Sequence, residues 1–175
     1  SDELTWDEAV AWASGLDVAG FTDWRLPRVA PVNGAAFQYD ETFDGSTDYS
    51  FNILSPASEL SHLYYVGLGN RGAFDPAGEF IDDFSFMLEN SGPFENLQSG
   101  TYWSGEEYGL NSDDFAWSFL TDFGLQIDTD KLTPAFALAL RDGDVAASAV
   151  PLPTTALLII GGLAGLFGLR RRSAA

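Results

Sequence analysis

The chain has 175 residues, with 26 acidic residues against eight Lys and Arg and one His, for a formal charge of −18. Residues 1–149 hold every acid and five of the basic residues, a formal charge of −21, which repels polyanions and excludes nucleic-acid binding through bulk charge. The absence of cysteine removes disulfides, thiolate catalysis and thiolate metal sites. About 149 residues outside the tail suit one domain with one sizeable core.

The first element is Thr5-Trp-Asp-Glu-Ala-Val-Ala-Trp-Ala-Ser-Gly-Leu. Thr5 followed three residues later by Glu8 is a capping-box pattern. Trp6, Ala9, Val10 and Ala13 then share one face at helical spacing and are expected in the core. Gly15 or Gly20 ends this helix. Residues 21–27, Phe-Thr-Asp-Trp-Arg-Leu-Pro, read as a short extended segment closed by proline. Residues 28–52 are rich in Gly, Pro, Asp, Ser and Thr with scattered aromatics, which reads as a long ordered loop. Ser55-Pro56 predicts the start of a second helix, with Leu60, Leu63, Tyr64 and Leu68 on one face until Gly69.

Residues 100–105, 115–120, 125–128 and 136–141 are short, aromatic or alternating, and separated by Asp, Gly and Asn turns, so each predicts a strand. Asp122-Phe-Gly124 predicts a hairpin connection. Two helices followed by short antiparallel strands make an α+β domain.

The chain ends on Val150-Pro151-Leu152-Pro153, an uncharged apolar run at residues 156–169, and Arg170-Arg171-Arg172. Fourteen residues span roughly 21 Å as a helix, whereas counting from Val150 gives about 30 Å, the thickness of a hydrocarbon core. The expectation is one transmembrane helix at residues 154–169, stopped by the arginines. Arginines past a span favour the cytoplasmic side, which places the acidic domain outside the inner membrane.

This order of proline motif, short Gly/Leu-rich helix and arginine cluster resembles the PEP-CTERM sorting signal of exopolysaccharide-producing Gram-negative bacteria, in its Val-Pro-Leu-Pro variant. The common form has a glutamate where this chain has Leu152. The resemblance implies that an exosortase-type membrane protease recognises the motif, removes the helix and delivers the domain to the cell surface or matrix. Export in turn implies an N-terminal signal peptide upstream of Ser1. The expected organisation is an extracytoplasmic domain at residues 1–144, a linker at 145–149 and the sorting signal at 150–175.

Within the domain, Leu4-Thr-Trp-Asp-Glu-Ala, Asp23-Trp-Arg-Leu-Pro27, Gly100-Thr-Tyr-Trp-Ser104, Phe115-Ala-Trp117 and Leu140-Arg-Asp-Gly143 together resemble the DUF1566 family, also named for the C-terminal domain of a collagen-like bacterial adhesin. The resemblance covers nearly all of residues 4–144 and implies a C-type-lectin-like fold whose loops carry ligand recognition. Two departures stand out. The family usually has a strand with a Gly-Leu-Met-Trp-like segment before the first helix, and a helix where this chain has Arg28-Val-Ala-Pro.

His62, the only histidine, reads as a helix-surface or core residue, and without cysteine there is little material for a triad or zinc site. Acidic pairs such as Asp82-Asp83, Glu106-Glu107 and Asp113-Asp114 meet the bare requirement of a glycosidase, but a chain this acidic produces such pairs on any solvated face. Asp40, Asp44 and Asp48 offer oxygen ligands around a glycine turn, where calcium is possible and a solvated acidic loop is the simpler reading. Asp113 and Asp114 with Asn111 are a second such set.

Carbohydrate recognition has a plainer basis. Aromatic rings stack on apolar sugar faces while carboxylates and amides accept hydroxyl hydrogen bonds. Tyr102, Trp103, Glu106, Glu107, Tyr108, Asn111 and Asp114 supply both kinds of group near one turn, with Tyr108 and Asn111 as surface candidates, while Trp103 and Trp117 are expected in the core. The domain thus reads as a non-enzymatic binding module for extracellular polysaccharide, with no cofactor. The alternatives are a structural or adhesive matrix protein without a specific small ligand and, more remotely, a carbohydrate-active enzyme.

Overall fold

The computed structural model describes residues 3–82 and 87–142. The linker, the Val150–Pro153 motif, the expected transmembrane helix and Arg170–Arg172 lie outside them. Among the described residues, no helix is long and apolar enough to cross a membrane.

Helix α1, Trp6–Ser14, begins where the capping pattern places it. The Glu8 carboxylate accepts the Thr5 backbone N–H at 3.0 Å and the Thr5 hydroxyl at 2.8 Å, satisfying a donor the helix start would otherwise leave open. Gly15 caps the other end. Ala9 and Ala13 are fully buried, and the Trp6 indole donates to the Ser104 carbonyl at 2.9 Å. Val10 departs from expectation at 37% exposed: a helix of nine residues with only two small residues buried presents too narrow a stripe to cover it.

The long loop at residues 28–52 is irregular as expected, apart from a two-residue parallel pair, β1 (Glu41–Thr42) and β2 (Tyr49–Ser50). Helix α2, Glu59–His62, starts later than Ser55-Pro56 predicts. The Ser55 carbonyl and hydroxyl take the N–H groups of Ser58 and Ala57 in a turn, and Ser58 is held extended by a bridge to Val29. The helix then widens into a π-helical turn, Leu63–Gly67. Leu60, Tyr64 and Leu68 are buried on the expected face.

Strands β3 (Thr101–Glu107), β4 (Phe115–Leu120) and β5 (Leu125–Asp130) form an antiparallel sheet in that order. The β4–β5 hairpin turns at Asp122-Phe-Gly124, where Gly124 has φ 72°. A Cβ there would meet the Tyr65 hydroxyl at 2.4 Å and the Gly72 Cα at 2.8 Å, so both backbone sign and space require glycine. The expected strand at residues 136–141 does not form a regular ladder. Its neighbours change along its length: Ala135 bridges Leu4, Phe136 bridges Tyr102 and Leu140 bridges Arg25.

Alternation divides the side chains of the sheet between its two faces. Trp103 and Ala116 face α1 with Ala9, Ala13, Leu26 and Ala135. Tyr102 and Phe119 face α2 with Leu60 and Tyr64, while Trp117 packs under the long loop with Val29 and Tyr108. Trp103 and Trp117 are both fully buried, as the strand motifs predict. The architecture is α+β, with two short helices and an antiparallel sheet.

The long loop is held by a buried polar chain. Asp48, fully buried, accepts the Val32 and Gln38 N–H groups, each at 2.8 Å. The Asp48 carbonyl accepts the Gln126 amide at 2.7 Å, and the Gln126 oxygen in turn accepts the Ser58 hydroxyl. Asp48→Ala orphans two backbone donors, each worth about 1–3 kcal/mol when buried. The variant is expected to lose about 3 kcal/mol in urea unfolding, and Asp48→Asn distinctly less.

Candidate functional site

The β3–β4 turn separates the residues expected there. Asn111 and Asp114 are exposed and bonded to each other, Asn111 Nδ2 donating to Asp114 Oδ2 at 3.1 Å. Glu107 is engaged by Lys131, whose Nζ lies 2.7 Å from Oε1, 2.6 Å from the Ser112 carbonyl and 4.5 Å from the centre of the Trp6 ring. Tyr108 corrects the expectation of a surface contact, since it is only 9% exposed. Its ring meets Trp117 edge-on at 4.9 Å and Tyr39 at 5.1 Å, because the aromatics of the long loop fold over the end of β4. Burial raises the pKa of its phenol.

Asp40, Asp44 and Asp48 are not brought together as a ligand set. Among the described residues, no group of three His, Asp or Glu stands close enough to hold a metal ion. Asp40 and Asp44 are exposed, whereas the Asp48 carboxylate is turned inward to the two backbone donors named above. Asp44 is held below the usual carboxylate range by its hydrogen bonds with Ser46. His62 places Nδ1 2.8 Å from the Leu54 carbonyl, a structural contact at the end of α2.

A charge cluster that the sequence reading did not assemble joins three distant segments. Arg25 donates to both oxygens of Glu59, at 2.7 and 2.9 Å, and to Asp142 at 2.5 Å. Arg28 donates to Asp142 through both terminal nitrogens, at 3.3 and 3.1 Å, and its backbone N–H donates to Glu59 at 2.7 Å. For Glu59, burial pushes the carboxyl pKa up, but the Arg25 and Arg28 hydrogen bonds outweigh it and hold the group below its ordinary range. Glu106 stands beside this cluster and accepts the Val29 N–H at 2.7 Å. Burial raises its pKa, the Val29 bond opposes the shift and the Glu59 charge adds to it. Glu106, Arg25, Arg28 and Trp24 line a small cavity of about 160 Å³.

A groove of about 420 Å³ opens between the loop at residues 93–97 and the segment at 137–138. Phe94, Glu95, Asn96, Leu97, Tyr102 and Leu138 line it. Its size lies within the range of about 300–1,000 Å³ typical of small-molecule sites. The combination of rings, a carboxylate and an amide is the chemistry expected of the β3–β4 turn, located instead at the opposite end of β3. The available signal was Phe94-Glu95-Asn96 behind Gly92-Pro93, which the strand and helix patterns on either side obscure.

No match to this chain is found among protein-family models, curated proteins or solved structures. The site therefore stands on its geometry and on the sequence motifs.

Glu106 generates a pH prediction. Its folded pKa is raised, so its contribution to stability is full below the unfolded value near 4.5 and is lost as the pH rises through the folded value. Glu106→Gln keeps an oxygen for the Val29 N–H and removes a charge that is costly to bury. Urea midpoints are expected to show the variant at least as stable as the parent at neutral pH, with the difference shrinking as acid protonates the parent. An equal loss at every pH would contradict this account.

Proposed function

We propose that the chain is an exported, surface- or matrix-associated protein whose acidic domain is a non-enzymatic binding module for extracellular polysaccharide. One observation carries the reading: Val150-Pro-Leu-Pro153, the uncharged run at residues 156–169 and Arg170–Arg172 stand in that order, past a domain that holds all 26 acids. An apolar span closed by arginines stops in a bilayer with its basic end inside, and the acidic domain then faces outward. The exosortase-type protease is the processing partner, first at the inner membrane, with release to the surface or matrix afterwards.

We assign the domain to the DUF1566 family and, within α+β, to a C-type-lectin-like scaffold. The motifs named above support this, as does the way long loops pack on a short antiparallel sheet. The fully buried Trp103 and Trp117 are those of the Gly100–Ser104 and Phe115–Trp117 motifs, so these residues act as framework. Recognition falls to the open groove, where rings, a carboxylate and an amide meet.

The reading is tested by fractionating the producing cells and taking the intact mass of the surface-associated protein. The expected mass lacks the apolar helix and arginines, and a variant with Arg170, Arg171 and Arg172 changed to Ala accumulates unprocessed. A cytoplasmic protein, or one that keeps its tail at the surface, would overturn the assignment.

A further inference from the structure

The groove beside Tyr102 is built from segments fixed before any ligand arrives. At one end of its loop, Asn70 and Asn90 exchange side chain to backbone hydrogen bonds, each at 2.9 Å, and Asn90 also donates to the Leu68 carbonyl at 2.6 Å and accepts the Gly92 N–H at 3.0 Å. At the other end, the Gln98 N–H donates to the Tyr102 hydroxyl at 2.8 Å, and the Thr121 hydroxyl ties to the Gln98 and Gly100 carbonyls at 3.2 and 3.0 Å. The opposite wall follows Phe136, whose N–H and carbonyl pair with Thr101 and Trp103 at 2.9 and 3.0 Å. A site held in this way loses little freedom on binding.

Its lining is selective. Phe94 provides ring surface over a floor that the buried Tyr102 closes, Asn96 both donates and accepts, and Glu95 is the single charged side chain among the lining residues. Glu95 is exposed, and the domain around it carries a formal charge of −21. A uronic-acid chain entering here meets like charge at the groove and across the surface, whereas an amine meets a carboxylate acceptor and a favourable field.

We propose that this groove is a glycan subsite for a hexosamine polymer bearing free amines. The proposal rests on the reading of the domain as a polysaccharide-binding module and names its site and ligand class. Phe94 stacks on a sugar face, Glu95 takes the amine and Asn96 takes ring hydroxyls.

The test is isothermal titration of the full chain, held in micelles of a sugar-free detergent, with three hexamers: β-1,4-linked glucosamine, its N-acetylated counterpart and galacturonate. The glucosamine hexamer is expected to bind saturably and more tightly than the other two. Phe94→Ala is expected to weaken it by about tenfold, and Glu95→Gln by about fivefold while removing the preference over the N-acetylated hexamer. Glu95 is exposed and Phe94 only half-buried, so unchanged thermal midpoints show that both variants are folded.

Glucosamine binding that survives both substitutions and disappears with added salt is bulk attraction to the acidic surface and overturns the proposal. Galacturonate binding as tight as glucosamine overturns it as well. If the producing cell's own exopolysaccharide binds both variants as it binds the parent, the groove is wrong and the binding-module reading stands. Silence from that polymer and from all three hexamers removes both.

Discussion

The structure depends on burying polar side chains so that irregular backbone can be satisfied without water. A loop of the length of residues 28–52 carries many N–H and C=O groups, and the domain has no disulfide to confine it. Asp48 answers this by placing an acceptor-only group in the interior, where two backbone donors converge on it. Gln126 on β5 extends the chain of bonds to Ser58 at the head of α2. Loop, sheet and second helix are therefore joined by hydrogen bonds as much as by apolar contact. The aromatics of the loop can then close over Trp117, which becomes the floor of a core instead of a surface ring.

The same logic operates at the periphery with charge. Arg25 sits two residues before Pro27, in a segment that also bridges Leu140 through the backbone. Its planar fork meets Glu59 with two parallel bonds, the geometry in which a guanidinium contributes most. Its remaining reach, shared with Arg28, goes to Asp142, eight residues before the Val150 motif. The Arg141 guanidinium adds a second fastening by lying 3.9 Å above the Phe21 ring and pairing with Asp23. These contacts hold the last described residues of the domain against its first loop.

Local signals in the sequence were legible, and long-range ones were not. The Thr5–Glu8 cap and the three strands rest on neighbours a few residues apart or on period-two alternation, and both appear as read. Ser55-Pro56 carries an equally local helix signal, yet Val29 pulls Ser58 into a bridge and delays the helix. Alternation at residues 136–141 predicts a strand, but isolated bridges to separate partners form there instead of a ladder. Tyr108 looks exposed from its turn, and only the folding of Tyr39 and Tyr49 across it decides otherwise. Asp48 reads as one more acid of a solvated loop where calcium is possible, and its two backbone donors are invisible until the loop closes. The groove was the least legible feature, because Phe94, Tyr102 and Leu138 come from three separate stretches. The proposed C-terminal signal is read from order and composition alone.

The proposed role joins an acidic domain bearing an open groove to a C-terminal segment that we read as a sorting signal. The most direct measurement is a titration of the full chain with the producing cell's own exopolysaccharide, following heat and released reducing ends together. The account predicts saturable heat with no released sugar. Released sugar would make the protein an enzyme, and the absence of heat would leave a structural surface protein without a glycan ligand.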